Sequence, residues 1–281
     1  MRVLVVGGDR VDAGKTTFST ALLERIGGVG FKPRAGNDYW FDHDDVRRAV
    51  ADGRLYGKDA KRLAAASAAP VAPEEINPVH RLWRPSPGPG TGLVGRARRR
   101  FVLDRVRPSS AEGDRTDGAR ADEFVVNAAA DVPDPVAAGL PVGDAAAVDS
   151  VEALDAVTRE RYLPSFERLA DRVRDRDRAV VESYADVARP LTGVPFDAVA
   201  AVEPARVRVY DGDRYLTACD VAGGSAREGS LEETVPDVVD HLSPAATVSL
   251  PALPDAERSD PAAAADAYEV ALDAVIAAAL E

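Results

Sequence analysis

One segment near the N-terminus restricts the fold more than any other part of the chain. It covers residues 3–23 and reads VLVVGGDRVDAGKTTFSTALL. Val3 to Val6 form the continuous apolar run that is typical of a strand buried on both faces, and Thr16 to Ile26 read as a helix. A strand that leads through a glycine turn into a helix predicts a phosphate-binding loop, because backbone N–H groups and the positive end of the helix dipole meet at the turn.

The side chains around this turn predict a nucleotide site with a magnesium ion. Lys15 would place a positive charge on the β and γ phosphates, and the Thr16 hydroxyl would ligate Mg²⁺. The pattern is G-x5-G-K-T rather than G-x4-G-K-[ST], because Asp9 stands where the first glycine belongs and Gly8 lies one place earlier. The predicted nucleotide-binding residues are Gly8, Asp12, Ala13, Gly14, Lys15, Thr16 and Thr17. A turn that holds no ligand is the alternative interpretation.

The charge composition narrows the range of partners. Asp and Glu number 47 against 35 Lys and Arg, a net charge of −12, and the acidic residues are spread along the chain. A diffuse acidic surface argues against nucleic-acid binding, which needs a basic face. The acidic, lysine-poor composition is similar to that of halophilic proteins, although a codon bias toward Ala, Arg, Asp and Gly would look the same. Lys15 and Lys32, two of only four lysines, lie in segments predicted to handle phosphate.

Other features of the sequence predict a cytoplasmic protein. Cys219 is the only cysteine, which excludes an internal disulfide and favours a reducing compartment. No stretch has the apolar length of a membrane span, and the N-terminus has no pattern of a secretory leader. We therefore expect no membrane partner.

Alternating strand and helix patterns predict an α/β fold: a mostly parallel sheet flanked by helices, with the P-loop NTPase fold. We expect one domain over residues 1–281, with a β-rich insertion at 88–150 and a mobile loop at 109–122. Residues 70–95 read as a loop rich in proline and glycine, and residues 206–216 as a hairpin with an Asp-Gly turn. Further strands are expected near 29–32, 99–106, 123–129, 179–181, 198–202 and 246–250, and helices within 44–69, 151–174 and 261–280.

Beyond the loop, acidic side chains are candidates for metal ligation. Asp38 and Asp44 lie in a cluster of carboxylates, the hard oxygen ligands that suit Mg²⁺, although solvated side chains are the alternative in so acidic a chain. Glu182 ends a buried strand, where a carboxylate facing the phosphate loop would be a metal ligand. Asp186 would orient a water molecule or accept a substrate proton.

The spacing G-x5-G-K-T resembles that of dethiobiotin synthetase and cobyrinic acid a,c-diamide synthase, members of the dimeric P-loop class. Two further blocks are similar in order: residues 29–46, VGFKPRAGNDYWFDHDDV, and residues 178–191, RAVVESYADVARPL. The resemblance implies that Lys32 contacts the phosphate and the reacting group, that Lys15, Lys32 and Asp186 are catalytic, and that the chain is a homodimer. The glycines that follow the glutamate in these families are Ser183, Tyr184 and Ala185 here.

A third block, residues 74–90, resembles the segment that shapes the substrate pocket of dethiobiotin synthetases. Its last residues are Gly-Pro-Gly where the families carry His and Ala-Ala, so the substrate is left open. His80, Arg81 and Arg84 would recognise an anionic substrate, or the segment is a rigid proline-rich loop. Arg10 would reach a phosphate across a dimer interface, or it is a surface arginine.

Three functions fit these features. The resemblance implies an ATP-dependent ligase, in which the γ-phosphate of ATP meets a small carboxylate or carbamate substrate. A nucleotide switch acting through a protein partner and a small-molecule kinase are the alternatives. We expect ATP and Mg²⁺ as ligands, because no Asn-Lys-x-Asp guanine motif is present. GTP is the alternative nucleotide. Asn127 reads as a structural residue.

Overall fold

A computed structural model of the 281-residue chain describes residues 1–8, 14–86, 99–108, 122–222 and 233–281. The chain divides into two compact units. The first unit contains residues 1–33, 62–71 and 170–281, and the second contains residues 34–61 and 72–169. The expectation of one domain with an insertion at 88–150 stays a prediction. The predicted mobile loop at 109–122 falls outside the described residues except for Asp122.

The described residues contain strands and helices in alternation. The strands are β1 (Arg2–Gly7), β2 (Val29–Phe31), β3 (Arg34–Asp38), β4 (Val79–Pro85), β5 (Arg99–Val106), β6 (Glu123–Asn127), β7 (Ala146–Val148), β8 (Ala179–Glu182), β9 (Ala198–Glu203), β10 (Arg206–Asp211) and β11 (Ala246–Ser249). The helices are α1 (Lys15–Ile26), α2 (His43–Ala51), α3 (Lys58–Ala66), α4 (Pro73–Ile76), α5 (Asp134–Gly139), α6 (Val151–Val157), α7 (Leu163–Arg174), α8 (Gly212–Ala222), α9 (Val235–Val239), α10 (Asp255–Ser259), α11 (Pro261–Ala267) and α12 (Glu269–Ala278).

The sheet of the first unit is built around β1. Its strand order is β11-β10-β9-β1-β8-β2, and β1 pairs in parallel with β8 on one side and β9 on the other. Val3 to Val6 are fully buried, as a central strand covered on both faces requires. Helix α1 packs against this sheet, and its residues Phe18, Leu22 and Leu23 are also buried. The predicted strand and helix at the N-terminus are thus confirmed, and residues 9–13 of the turn between them lie outside the described residues.

The hairpin predicted at residues 206–216 is wrong. Strand β10 ends at Asp211, and Gly212 begins helix α8. The reason is local: Asp211 Oδ1 accepts a hydrogen bond from the backbone N–H of Arg214 at 2.8 Å, which makes it a helix cap instead of a turn residue. The hairpin of this region is formed by β9 and β10, which pair antiparallel across Pro204 and Ala205.

The second unit has its own sheet, with strand order β3-β4-β5-β6-β7. The loop predicted over residues 70–95 is wrong in part, because this segment contains α4 and β4, and β4 is the second strand of the sheet. The buried apolar core of this unit combines residues of the sheet with residues of α2, of α5 and of the loops that follow these helices: Val46, Val50, Leu55, Leu82, Val102, Leu103, Phe124, Val136 and Leu140.

The architecture is therefore α/β, with mixed sheets flanked by helices. In the first sheet β10 runs antiparallel to both β9 and β11, and in the second β5 runs antiparallel to both neighbours. The expectation of a mostly parallel sheet is thus not confirmed. The helix predicted at 151–174 is interrupted by a π-helical turn at Thr158–Tyr162, and the one at 261–280 is divided at Tyr268. Among the described residues no helix has the length and apolarity needed to cross a membrane.

Candidate functional site

The side chain of Lys15, the first residue of α1, lies close to the end of β1. Gly14, immediately before the helix, has φ of 85°, a left-handed conformation that favours glycine. A Cβ atom at Gly7 would lie 2.8 Å from Lys15 Nζ, so the lysine side chain runs close to the end of β1. Lys15 Nζ donates a hydrogen bond to the carbonyl oxygen of Ala185 at 3.0 Å. The ammonium group thus lies between the end of β1 and the loop that follows β8.

Thr16 and Glu182 are brought together at the neighbouring ends of α1 and β8. The Thr16 hydroxyl donates to Glu182 Oε1 at 2.8 Å, and the carboxylate is fully buried. This contact depends on the parallel pairing of β1 with β8, which places Glu182 opposite Val5. Because the hydroxyl hydrogen is used by Glu182, the Thr16 oxygen keeps its lone pairs for a cation.

Lys32 is the second lysine of this cluster. It lies just after β2, and its Nζ forms an ion pair with Glu182 Oε1 and donates to the carbonyl oxygen of Ser183 at 3.3 Å. Lys32 is only 3% exposed. An ion pair at this depth offsets much of the cost of removing two charges from water. The two lysines singled out by the sequence therefore lie in one cluster with Thr16 and Glu182.

The other carboxylate oxygen of Glu182, Oε2, differs from Oε1 in its contacts. Among the described residues, Glu182 Oε2 and the Ser183 hydroxyl are buried and have no hydrogen-bond partner. A buried acceptor without a donor costs free energy, so such an atom suggests a group that completes it. Carboxylate and hydroxyl oxygens are the ligands that Mg²⁺ prefers. The donor set at Thr16 and Glu182 therefore fits a magnesium ion.

No set of three His, Cys, Asp or Glu side chains in the described part of the chain forms a metal cage. This does not conflict with a magnesium site, because Mg²⁺ in nucleotide sites is held by one or two protein groups together with phosphates and water.

Two more predicted residues lie close to this cluster in the chain. Asp186 is 7% exposed and lies in the loop after β8, where its carbonyl oxygen accepts a hydrogen bond from the Val235 N–H at 2.8 Å. Thr17 is buried, and its hydroxyl is 3.3 Å from the carbonyl oxygen of Arg258 and 3.4 Å from the guanidinium of Arg62. The roles of Asp186 and Thr17 stay predictions.

Asp38 and Asp44, the other metal candidates, belong to the second unit. The Asp38 carboxylate is buried; its Oδ1 accepts the backbone N–H groups of Trp40 and Phe41, and its Oδ2 lies 3.4 Å from Arg99 Nε. Asp38 therefore orders the turn after β3. Asp44 is exposed in the first turn of α2. Their metal ligation stays a prediction.

The predicted residues Asp12 and Ala13, and Arg10 with them, lie outside the described residues. Gly8 is described and lines a cavity together with residues of β9 and β10. The cavity wall contains Glu203, which pairs with Arg206 and Arg208. Sequence reasoning missed this group, because arginines and acids at short spacing are common throughout the chain.

In the segment proposed to recognise an anionic substrate, Arg81 has an internal partner and His80 is buried. Arg81 donates two hydrogen bonds to Asp104, at 2.7 and 2.6 Å, and His80 is fully buried. Burial, with a smaller contribution from the Arg105 charge, lowers the pKa of His80 to about 3, so the imidazole is neutral near pH 7. Asn127 donates to the Phe101 carbonyl oxygen at 2.9 Å, the structural role expected of it.

Comparisons of the chain with protein families, with curated proteins and with solved structures found no match. The functional interpretation therefore depends on the motif around Lys15 and on the geometry that surrounds it.

Proposed function

We propose that this protein is a magnesium-dependent P-loop enzyme that binds ATP and cleaves or transfers its γ-phosphoryl group. The observation that carries the proposal is the hydrogen bond from Thr16, the residue after the loop lysine, to the buried carboxylate of Glu182. In P-loop proteins a hydroxyl from the loop and an acid from a neighbouring strand hold the magnesium of the bound nucleotide. The strand pairing of β1 with β8 supports this assignment of roles.

Each residue of the cluster has a separate task in this proposal. Thr16 and Glu182 hold Mg²⁺, which would neutralise part of the phosphate charge. Lys15 leaves the Ala185 carbonyl oxygen to contact the β and γ phosphates, and Lys32 places a second ammonium beside the transferred group. Positive charge positioned in a buried site stabilises the charge of a transferring phosphoryl group more strongly than it would in water.

The resemblance to dethiobiotin synthetase and cobyrinic acid a,c-diamide synthase supports a more specific reaction. We propose that a carboxylate or carbamate oxygen of a small anionic substrate attacks the γ-phosphorus, while the bond to the β–γ bridging oxygen breaks and ADP leaves. The product of this step is a mixed anhydride. Asp186 would accept a proton in a later step, and the active form would be a homodimer.

The test is a magnesium titration of ATP turnover by wild-type protein and by Glu182→Gln. Because the amide removes a ligand charge, we expect the variant to need at least about tenfold more Mg²⁺ for half-maximal turnover. Glu24→Gln, an exposed change in helix α1, is the matched control and is expected to follow the wild-type curve. An unchanged magnesium dependence of Glu182→Gln would reject the metal role of Glu182.

A further inference from the structure

A guanidinium group lies beside the start of helix α1, outside the cluster of Lys15, Lys32 and Glu182. It belongs to Arg62 in helix α3, and its Nη2 is 3.4 Å from the hydroxyl oxygen of Thr17. Arg62 and Thr17 both belong to the first unit, and Thr17 is buried. The start of α1 is therefore contacted by a cation that is not part of the phosphate-loop motif.

Arg62 approaches the helix from a different direction than Glu182 does. Thr16 donates its hydroxyl hydrogen to Glu182 on β8, whereas the hydroxyl of the next residue, Thr17, contacts Arg62. Successive residues of an α-helix are turned by about 100° around its axis. The first turn of α1 thus has a carboxylate on one side, where the donor set fits Mg²⁺, and a guanidinium on another.

The Arg62 guanidinium is held in place by a neutral group. Its Nη2 donates to the carbonyl oxygen of Arg258, near the end of α10, at 2.6 Å. Both of these contacts of Arg62 come from Nη2, and a guanidinium has five N–H donors in one plane. A side chain that is already oriented loses less conformational freedom when it binds a ligand. Arg62 is therefore prepared to donate to a further acceptor.

The positive charge of Arg62 is not neutralised by a neighbouring acidic side chain. Within the described part of the chain, no Asp or Glu oxygen lies within 4.0 Å of its guanidinium nitrogens. The guanidinium of Arg258, by contrast, pairs with Asp255. Arg62 is half-buried, in a chain with a net charge of −12. A cation in this position, beside the phosphate loop, suits an anionic ligand such as a phosphate group.

We propose that Arg62 contacts the α-phosphate of the bound nucleotide, the phosphate group that is attached to the nucleoside. This inference rests on the proposed function, in which Lys15 contacts the β and γ phosphates and Thr16 holds Mg²⁺. The α-phosphate is then the group left for a cation on the other side of the first turn of α1. In this role Arg62 binds the nucleotide and takes no part in the chemistry at the γ-phosphorus, so a diphosphate and a triphosphate gain equally from it.

Titration calorimetry of Mg·ATP and Mg·ADP with wild-type protein and Arg62→Met tests this role. Methionine keeps an aliphatic side chain at this position and removes the guanidinium. We expect both affinities to fall about tenfold, because a hydrogen bond to a charged phosphate is lost in both complexes. Lys61→Ala removes the exposed charge of the preceding residue and should leave both affinities within about twofold of wild type.

Turnover measurements separate this role from one at the transferred group. A contact that is equally strong in the ground state and in the transition state changes KM and leaves kcat unchanged. The KM of Arg62→Met for ATP should therefore rise about tenfold, with kcat within about twofold of wild type. Arg62→Lys keeps the charge without the planar fork, and it should bind both nucleotides only about threefold more weakly than wild-type protein. It also serves as the second variant if Arg62→Met does not fold as judged by circular dichroism.

Two results would overturn the assignment of Arg62 alone. Unchanged affinities for ATP and ADP in the folded variants, with or without a lower free energy of unfolding, would mean that Arg62 only connects α3 to α10. A loss of ATP affinity with unchanged ADP affinity would place Arg62 at the γ-phosphate. Wild-type protein that binds neither nucleotide would instead contradict the proposed function, so the two failures are distinguishable.

Discussion

Each of the two units contains a completely buried carboxylate, and the two carboxylates differ in whether both of their oxygens have hydrogen-bond partners. Asp104 in the second unit accepts two hydrogen bonds from Arg81 and a third, at 2.6 Å, from the hydroxyl of Tyr162. Glu182 in the first unit receives Thr16 and Lys32 on one oxygen, and its other oxygen has no partner among the described residues. The first arrangement is complete and stabilises the fold, whereas the second has a vacant acceptor that suits a ligand.

The surroundings of Asp104 support a purely structural role. The Arg81 guanidinium lies over the ring of Phe101, with its carbon 4.4 Å from the ring centroid. Burial, and after it the neighbouring Asp104 charge, raise the pKa of Tyr162 above its ordinary value, so the phenol remains a hydrogen-bond donor. Because every oxygen of Asp104 is used, a ligand has nothing to add there.

The largest loss of stability is expected at Asp104. Asp104→Asn keeps the shape of the side chain but leaves the Arg81 charge without its partner, and it should lower the free energy of unfolding by about 4 kcal/mol. Urea denaturation measures this loss. The affinity for Mg·ATP, measured where the variant is folded, should stay at the wild-type value. A large loss of affinity with little loss of stability would show that the Asp104 network serves binding.

A somewhat smaller loss is expected at the other carboxylate. Lys32→Met removes the ammonium from Glu182 and should lower the free energy of unfolding by about 3 kcal/mol, because Thr16 still contacts the carboxylate. Because Lys32 is also proposed to contact the phosphates, the same concentrations of Mg²⁺ and ATP should stabilise this variant less than they stabilise wild-type protein in thermal denaturation. Asp104→Asn is the comparison variant, and Mg·ATP should stabilise it as much as it stabilises wild-type protein.

His80 makes the second unit sensitive to acid. Its pKa is about 3 when folded and about 6.5 when exposed, so the unfolded chain takes up the proton first as the pH falls. The contribution of His80 to the free energy of unfolding is fully present above pH 6.5. It is lost as the pH falls from 6.5 to 3, at about 1.4 kcal/mol per pH unit. His80→Gln should remove this part of the pH dependence in urea denaturation at pH 7, 6 and 5. Equal slopes for the variant and wild-type protein would contradict the assignment.

The smallest effect is expected at Tyr162. Tyr162→Phe removes one of three hydrogen bonds to Asp104 and should lower the free energy of unfolding by about 1 kcal/mol. Thermal denaturation measures the change, and the exposed ion pair of Arg48 with Asp45 supplies a control. Asp45→Ala should cost less than about 1 kcal/mol. If Tyr162→Phe lowers the free energy of unfolding no more than Asp45→Ala does, the hydrogen bond from Tyr162 to Asp104 contributes less than its geometry indicates.

The predictions made from sequence succeeded where the determinants are local. The strand at Val3 to Val6 and helix α1 are specified within 25 residues, and both are present. Glu182 was predicted because it ends an apolar strand within the block, residues 178–191, that resembles the known families. Its contact with Thr16 depends on the pairing of β8 with β1, which joins residues far apart in the chain. Neither segment alone contains a sequence pattern that predicts this pairing.

The predictions failed where one residue type fits two structures. Asp-Gly at 211–212 is typical of a hairpin turn, but here the aspartate caps a helix. The prolines near residue 85 favoured a loop, although β4 ends at Pro85 and needs no further hydrogen bond there. The ion-pair group of Glu203, Arg206 and Arg208 was not predicted, because it forms where β9 and β10 pair antiparallel.

The central claim is that the cluster at Lys15 binds the phosphates of a nucleotide. Titration calorimetry of Mg·ATP into wild-type protein, Lys15→Ala and Lys61→Ala, carried out in molar KCl, tests it directly. Lys61 is one of the four lysines and is exposed, so its change controls for the loss of a positive charge. The account predicts that wild-type protein and Lys61→Ala bind ATP equally and that Lys15→Ala binds at least about a hundredfold more weakly. Undiminished ATP binding by Lys15→Ala would contradict it.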